Sequence, residues 1–198
     1  SQDGGKTWDH KVVRGRERTT ESGPGTASVT ADGSFVFRSF EPEPEAGTGG
    51  TEVKHSKEVI HKSDGSVLVA RDGRFTTVTP PDSEPIGIGY DAQGKANILT
   101  LPGESGQWRS EDGEHWAKYD AAGNLDSATE PRTFKLDVGA DGSIRRIHSA
   151  ETPPYTEILH TDGSSLSYNE AGQKLQGSGE HTYGLQSLHT STSAFLCF

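Results

Sequence analysis

The chain has 198 residues, enough for one ordinary domain with its own core or for a short repeat array. Only 29% of its residues are hydrophobic, while 25 are Gly and 10 are Pro, a mixture that folds, when it folds, as many short strands joined by many turns. A formal net charge of −10 excludes nucleic acid and anionic membrane surfaces as partners, because either demands a basic face. No run approaches the roughly 18 apolar residues that span a bilayer, so no membrane insertion is expected.

The first residues carry neither an initiator Met nor an apolar signal core, as in a mature product or an excised fragment. Residues 1–40 read as an N-terminal hairpin segment, with Asp32-Gly33 as a turn and Phe35-Val36-Phe37 as a strand. Residues 41–50, acidic and spaced by Pro and Gly, have the composition of a loop. Residues 51–198 form the main β-repeat region, and the three parts are expected to make one structural unit.

Within that region turn motifs follow one another: Asp64-Gly65, Asp72-Gly73, Asp91 to Gly94, Asp112-Gly113, Asp120 to Gly123, Asp141-Gly142, Asp162-Gly163 and Asn169 to Gly172. Asp and Asn tolerate left-handed backbone and Gly adopts it freely, so the Asp-Gly pairs predict two-residue hairpins. Between the turns the chain alternates with period two, as in Ser66-Val67-Leu68-Val69, Glu157-Ile158-Leu159-His160 and Leu166-Ser167-Tyr168, the pattern of half-buried strands. No window shows an apolar stripe at helical spacing.

The glycines also recur at a longer interval. Gly65, Gly113 and Gly163, then Gly73, Gly123 and Gly172, are each about 49 residues apart. Glu58 to Ser66 aligns with Glu157 to Ser164 if one residue is inserted, which makes His61 and His160 equivalent. The fold class expected is all-β: short antiparallel strands in a repeat of roughly 49 residues, forming an extended or coiled sheet, with a small β-propeller as the alternative.

Two local motifs resemble known repeats. Tyr119-Asp120-Ala121-Ala122-Gly123-Asn124-Leu125, Tyr90-Asp91-Ala92-Gln93-Gly94 and, with Asn for Asp, Tyr168-Asn169-Glu170-Ala171-Gly172 are similar to the YD repeats of bacterial Rhs-type and teneurin-type surface proteins. The likeness spans about residues 60–175. It implies a β-hairpin ribbon of exported or cell-surface proteins in which the repeats are scaffold. The intervals here are longer and an Asp-Gly turn is inserted between the Tyr-Asp turns, so a closed shell is not implied. Ser1-Gln2-Asp3-Gly4-Gly5-Lys6-Thr7-Trp8 resembles the Asp-box of sialidases, approximated again by Ser110 to Trp116; that motif implies a folded hairpin with a packed Trp and no chemistry.

Residues able to carry chemistry are few. Trp108, Trp116 and Tyr119, if they share one sheet face, form a flat strip for pyranose rings, with Glu111, Asp112 and Glu114 able to bond sugar hydroxyls; the other reading is that the tryptophans fill the core of a sequence lean in large residues. Glu104 lies close by in sequence, but nothing singles out a pair of carboxylates for glycoside hydrolysis, and no catalytic residue is assigned. The histidines at 55, 61, 115, 148, 160, 181 and 189 lack metal-site spacing. No cofactor is expected; calcium, which suits Asp and carbonyl oxygens, is the alternative, although no EF-hand loop is present.

Cys197 is the only cysteine, so the fold stands without an internal disulfide. The terminal run Ser193 to Phe198 is the most apolar short stretch, and Phe195, Leu196 and Phe198 are the candidates for self-association through an added strand. The sequence therefore reads as a non-catalytic, exported or cell-surface β-repeat scaffold or self-assembling subunit with glycan contact as a secondary role. The alternative is a carbohydrate-binding or glycoside-hydrolysing propeller.

Overall fold

The computed structural model describes residues 10–14, 17–21, 25–42 and 54–175. Every regular element among them is a strand. β1 (His10–Arg14) and β2 (Glu17–Glu21) pair only with each other. A ten-stranded antiparallel sheet follows in strict chain order: β3 (Thr26–Val29), β4 (Phe35–Pro42), β5 (Lys54–His61), β6 (Val67–Arg71), β7 (Arg74–Thr79), β8 (Ile86–Tyr90), β9 (Ala96–Thr100), β10 (Gln107–Arg109), β11 (His115–Tyr119) and β12 (Arg132–Thr133). A second sheet of four strands continues the meander with β13 (Lys135–Val138), β14 (Ile144–His148), β15 (Tyr155–Leu159) and β16 (Ser165–Asn169).

The fold is thus all-β, open-edged and not a closed barrel, which is the extended or coiled branch of the expectation and not the radial blades of a propeller. β4 pairs with β5 at eight register positions from Phe35↔His61 to Pro42↔Lys54, so β3 and β4 belong to the same sheet as the chain from Lys54 onward. Glu41 and Pro42, read as loop from composition, are the end of a strand.

The two sheets are joined by a single run of extended chain. Arg132 and Thr133 pair with Trp116 and His115 of β11, Phe134 N donates to Glu114 O at 2.9 Å, and Lys135 onward pairs with β14. One strand therefore leaves the first ladder and enters the second, the usual way a sheet turns a corner. Beyond that corner β13–β16 lie against the first sheet. Leu68, Val78, Ile86, Ile88, Leu99, Trp108 and Trp116 of the first sheet and Ile144 of the second form one core, with Phe134 between them. Cross-strand register puts Leu68, Val78 and Ile86 on one face, because alternate residues share a side.

Eight of the described turns fall into three kinds. In the first, Asp-Gly is followed by Ser. Lys62 N donates to Ser66 O at 2.9 Å, Gly65 N donates to Lys62 O at 3.0 Å, and Asp64 Oδ1 accepts from Ser66 N and Oγ, both at 2.7 Å. His160 to Ser164, Gly139 to Ser143 and Thr30 to Ser34 close by the same backbone bonds. The pattern is a three-residue loop with Gly in the bulge position. In the second kind Asp or Asn opens the turn, as at Asp91, Asp120 and Asn169.

Only Asp72-Gly73 is the two-residue hairpin that every Asp-Gly pair was expected to make. Both residues have positive φ, 49° and 76°, and Arg71 pairs directly with Arg74. Elsewhere the Asp carboxyl reaches forward to a donor two residues on, Ser66 from Asp64 or Glu114 from Asp112, whereas the Asp72 carboxyl is turned to Ser56 and His55 of β5.

Two other readings change in the structure. The interval near 49 residues is not matched by turn type: Gly73 closes the two-residue turn, while Gly123 and Gly172 close the Asp-first and Asn-first kind. His61 and His160 are not equivalent either. His160 is the first residue of its turn, bonded through N to Ser164 O at 2.8 Å, whereas His61 ends the strand one residue before its turn. A slip of one residue reverses the face, and His61 is buried while His160 is half-buried.

Candidate functional site

The strongest concentration of aromatic and charged side chains lies where β10, β11 and the corner strand meet. β10 and β11 place Trp108 and Lys118 directly opposite each other, and two residues back along β11 Trp116 shares that face. Both indoles are in the core, Trp108 at 1% and Trp116 at 0% exposure. Trp108 Nε1 donates to Glu104 Oε2 at 2.9 Å. The Arg132 guanidinium stands 4.1 Å from its ring centre and Lys118 Nζ 5.8 Å. Trp116 Nε1 donates to Phe134 O at 2.8 Å, and its ring stacks on that of Phe134.

The flat strip expected of Trp108, Trp116 and Tyr119 therefore does not form. The tryptophan faces are covered by Arg132, Lys118 and Phe134, and Tyr119, half-buried, carries the Arg109 guanidinium 4.7 Å over its ring. Stacking a sugar requires a bare ring face. The physical reason is the corner at Phe134, which brings a second sheet over what a single sheet would have left open.

Of the three acids beside them, Asp112 is engaged in closing a turn. Asp112 Oδ1 accepts from Glu114 N and His115 N, both at 2.8 Å, and from Ser110 Oγ at 3.1 Å, while Oδ2 meets His115 Nδ1 at 2.5 Å. The backbone N–H and the ring of His115, then the N–H of Glu114, hold the Asp112 carboxyl far below the ordinary range. The same bond and charge raise His115 above the usual value for an imidazole. Glu114 pairs with Lys135 at 3.0 Å, and Glu111 is exposed.

Glu104 was noted only as a neighbour in sequence, yet it is the hub of the cluster. Its Oε2 accepts from Trp108 and from Lys118 Nζ, both at 2.9 Å, and Arg132 lies 3.9 Å from Oε1. Burial raises its proton affinity, but the bonds from Lys118 and Trp108 outweigh that and hold the carboxyl below its ordinary value. A general acid needs the opposite, a carboxyl held protonated near neutral pH. Neither Glu104 nor Asp112 is tuned for that role.

A second polar group was missed altogether. On β14 the buried side chains Ile144 and Arg146 share a face, and Arg146, 9% exposed, pairs with Glu157 of β15 at matched register. The two line a cavity no larger than about one water, with Ile86, Leu99, Ile144 and Leu159 as its other walls. The signal was present: in Ile144-Arg145-Arg146-Ile147-His148 two successive arginines must occupy opposite faces. One of them follows Ile144 into the core.

Among the described residues no three His, Cys, Asp or Glu side chains converge on a metal-sized site, and Asp32, Asp64, Asp72, Asp112, Asp120, Asp126, Asp141 and Asp162 bond to Ser, Thr, Asn, His or backbone donors. No helix among them is long and apolar enough to cross a membrane. Phe195, Leu196 and Phe198, the candidates for assembly, and the Asp-box-like residues 1–8 lie outside the described residues.

With this geometry the chain falls into the class of open, meandering all-β proteins. No protein-family model matches it, and no curated protein or solved structure matches it either.

Proposed function

We propose that the chain is a non-catalytic β-repeat scaffold, exported or displayed on a cell surface, that serves as a structural or self-assembling subunit. What carries this reading is one hairpin unit used three times. At Asp91, Asp120 and Asn169 the first residue's N–H donates to the carbonyl four residues on, at 2.9, 2.9 and 3.0 Å. The Gly N–H donates back to that first residue at 2.9, 3.0 and 2.9 Å. The side-chain Oδ1 then accepts from the N–H of Lys95, Asn124 or Gln173 at 2.8, 2.8 and 2.9 Å.

In each unit the preceding Tyr pairs across the turn, Tyr90 with Ala96, Tyr119 with Leu125 and Tyr168 with Lys174. This geometry suits the Tyr-Asp hairpin repeat that the sequence resembles, and the exported or surface location rests on that resemblance. The carboxylates and indoles best suited to catalysis are spent on turn closure and core packing, which favours scaffold over enzyme. An open sheet also has two edges to satisfy, and edges invite pairing with another chain.

The test is negative-stain electron microscopy of the purified chain with its mass by light scattering across a concentration series. Ordered fibres or rings that dissolve on deleting residues 193–198 are the expected result. A compact monomer at all concentrations that binds or cleaves oligosaccharides would overturn the reading in favour of a carbohydrate-directed protein.

A further inference from the structure

We propose that His148 is an acid-sensitive latch at the corner of the folded sheet, whose protonation releases β13–β16 from the face of the ten-stranded sheet. The placement is the first argument. His148 ends β14 opposite Tyr155 of β15, its ring stacked on that of Tyr155 at 4.3 Å and 10°. It is tilted against Phe134 at 5.7 Å and 45°, and Phe134 in turn stacks on Trp116 of the first sheet. His148 thus lies in an unbroken row of four rings that crosses the join between the two sheets.

The second argument is what the ring lacks. Its side chain is 13% exposed, and Nε2 is enclosed with no hydrogen-bond partner among the described residues. The nearest acceptor is Glu157 Oε2 at 4.0 Å, and that oxygen is already bonded to Arg146. A buried donor without an acceptor is costly, and a buried cation more so. A neutral imidazole avoids the second cost.

The charges around the ring set the direction. On its own strand stands Arg146, whose guanidinium lies 5.7 Å from the Phe134 ring centre. β15 supplies Glu157 and the Tyr155 hydroxyl, with Glu151 acting on Tyr155 from the preceding loop and Arg132 of β12 acting on Arg146. One carboxylate would have to serve two cations if His148 took a proton. Burial, then Arg146, lowers the proton affinity of His148 from 6.5 to about 4.

The sign follows from linkage. The released ring titrates near its ordinary value of 6.5 and the packed ring near 4, so the released form binds the proton first. The closed form is favoured in full above the ordinary value, loses ground as pH falls through that interval, and levels off below it. From pH 7.5 to pH 5 the opening equilibrium rises about thirty-fold.

The test is hydrogen exchange over β13–β16 in the intact chain at pH 7.5 and 5, corrected for the intrinsic pH dependence of exchange, beside acrylamide quenching of tryptophan. Opening is expected to rise about thirty-fold in the native chain and to stay level in His148→Phe, which keeps an aromatic ring but cannot titrate. An equal acid response in His148→Phe would overturn the proposal. If that variant fails to fold, the His148 titration followed by NMR in the native chain decides: a midpoint below 5 is expected, and one at or above 6.5 would overturn it.

Discussion

Trp116 and Phe134 lie face to face, their ring centres 5.1 Å apart and their planes 7° from parallel, at the point where the chain passes from one sheet to the other. The indole N–H of the first is bonded to the backbone carbonyl of the second. Side-chain stacking and a hydrogen bond to the backbone therefore act together at the corner.

Phe134→Ala is expected to cost about 3–5 kcal/mol, since it removes a buried ring and leaves Trp116 facing a cavity. Urea unfolding measures it. A loss under about 1 kcal/mol would mean that the site collapses freely and that the corner is not where the sheets are held.

Two glycines separate turn strain from sheet-to-sheet contact. Gly142 and Gly172 both have positive φ, 85° and 74°. A Cβ at Gly142 would stand 2.8 Å from Leu68 Cδ1, across the two sheets, while one at Gly172 meets nothing within 4 Å. Gly172→Ala should cost about 1–2 kcal/mol, the strain of a left-handed residue, and Gly142→Ala about 1–3 kcal/mol more from overpacking. Equal losses in thermal or urea unfolding would argue against the contact.

The Arg146–Glu157 pair should behave as buried pairs do. Glu157→Leu alone leaves an enclosed cation without its partner and is expected to cost about 3–5 kcal/mol. Adding Arg146→Met should recover most of that loss, because an apolar pair of similar volume is often no worse than a buried ion pair. A double variant less stable than the single one would contradict the packing at this cavity.

Two histidines should titrate on opposite sides of the ordinary value. His115, bonded to Asp112, is raised, and His148 is lowered to about 4. The raised His115 contributes stability below its ordinary value that fades as pH climbs through its folded value; the lowered Asp112 contributes above its ordinary value and loses that contribution as pH falls through its folded one. Proton-detected titration should show both shifts, and Asp112→Asn should return His115 toward 6.5 while leaving His148 unmoved.

Much of this architecture was legible. Period-two alternation and the Asp, Asn and Gly turn residues identify the strands and their order, because hairpin geometry is a local matter. Turn kind was partly hidden, since it goes with where the Asp carboxyl finds its donor: two residues on at Asp64 and Asp112, but on the neighbouring strand at Asp72. Core packing of Trp108 and Trp116 was one of the two readings open to them, and the Asp-box likeness of Ser110 to Trp116 implied a packed Trp. The corner that covers them was not legible: nothing local in Arg132 to Val138 marks the change of partner from β11 to β14. Arg146 could have been found from the alternation with Ile144.

One continuous meander folds back on itself at Phe134 and buries Trp108 and Trp116 in doing so. Lys62 Nζ and Thr161 Oγ1 are 2.8 Å apart although 99 residues separate them in sequence, and only the folded-back sheet brings them together. With Cys197→Ser as background, the Lys62→Cys, Thr161→Cys chain should be cross-linked within one molecule by a short bismaleimide. Rapid, near-complete intramolecular cross-linking in native buffer, lost in urea, is the predicted result. Its absence, with β-sheet content unchanged by circular dichroism, would contradict the fold-back.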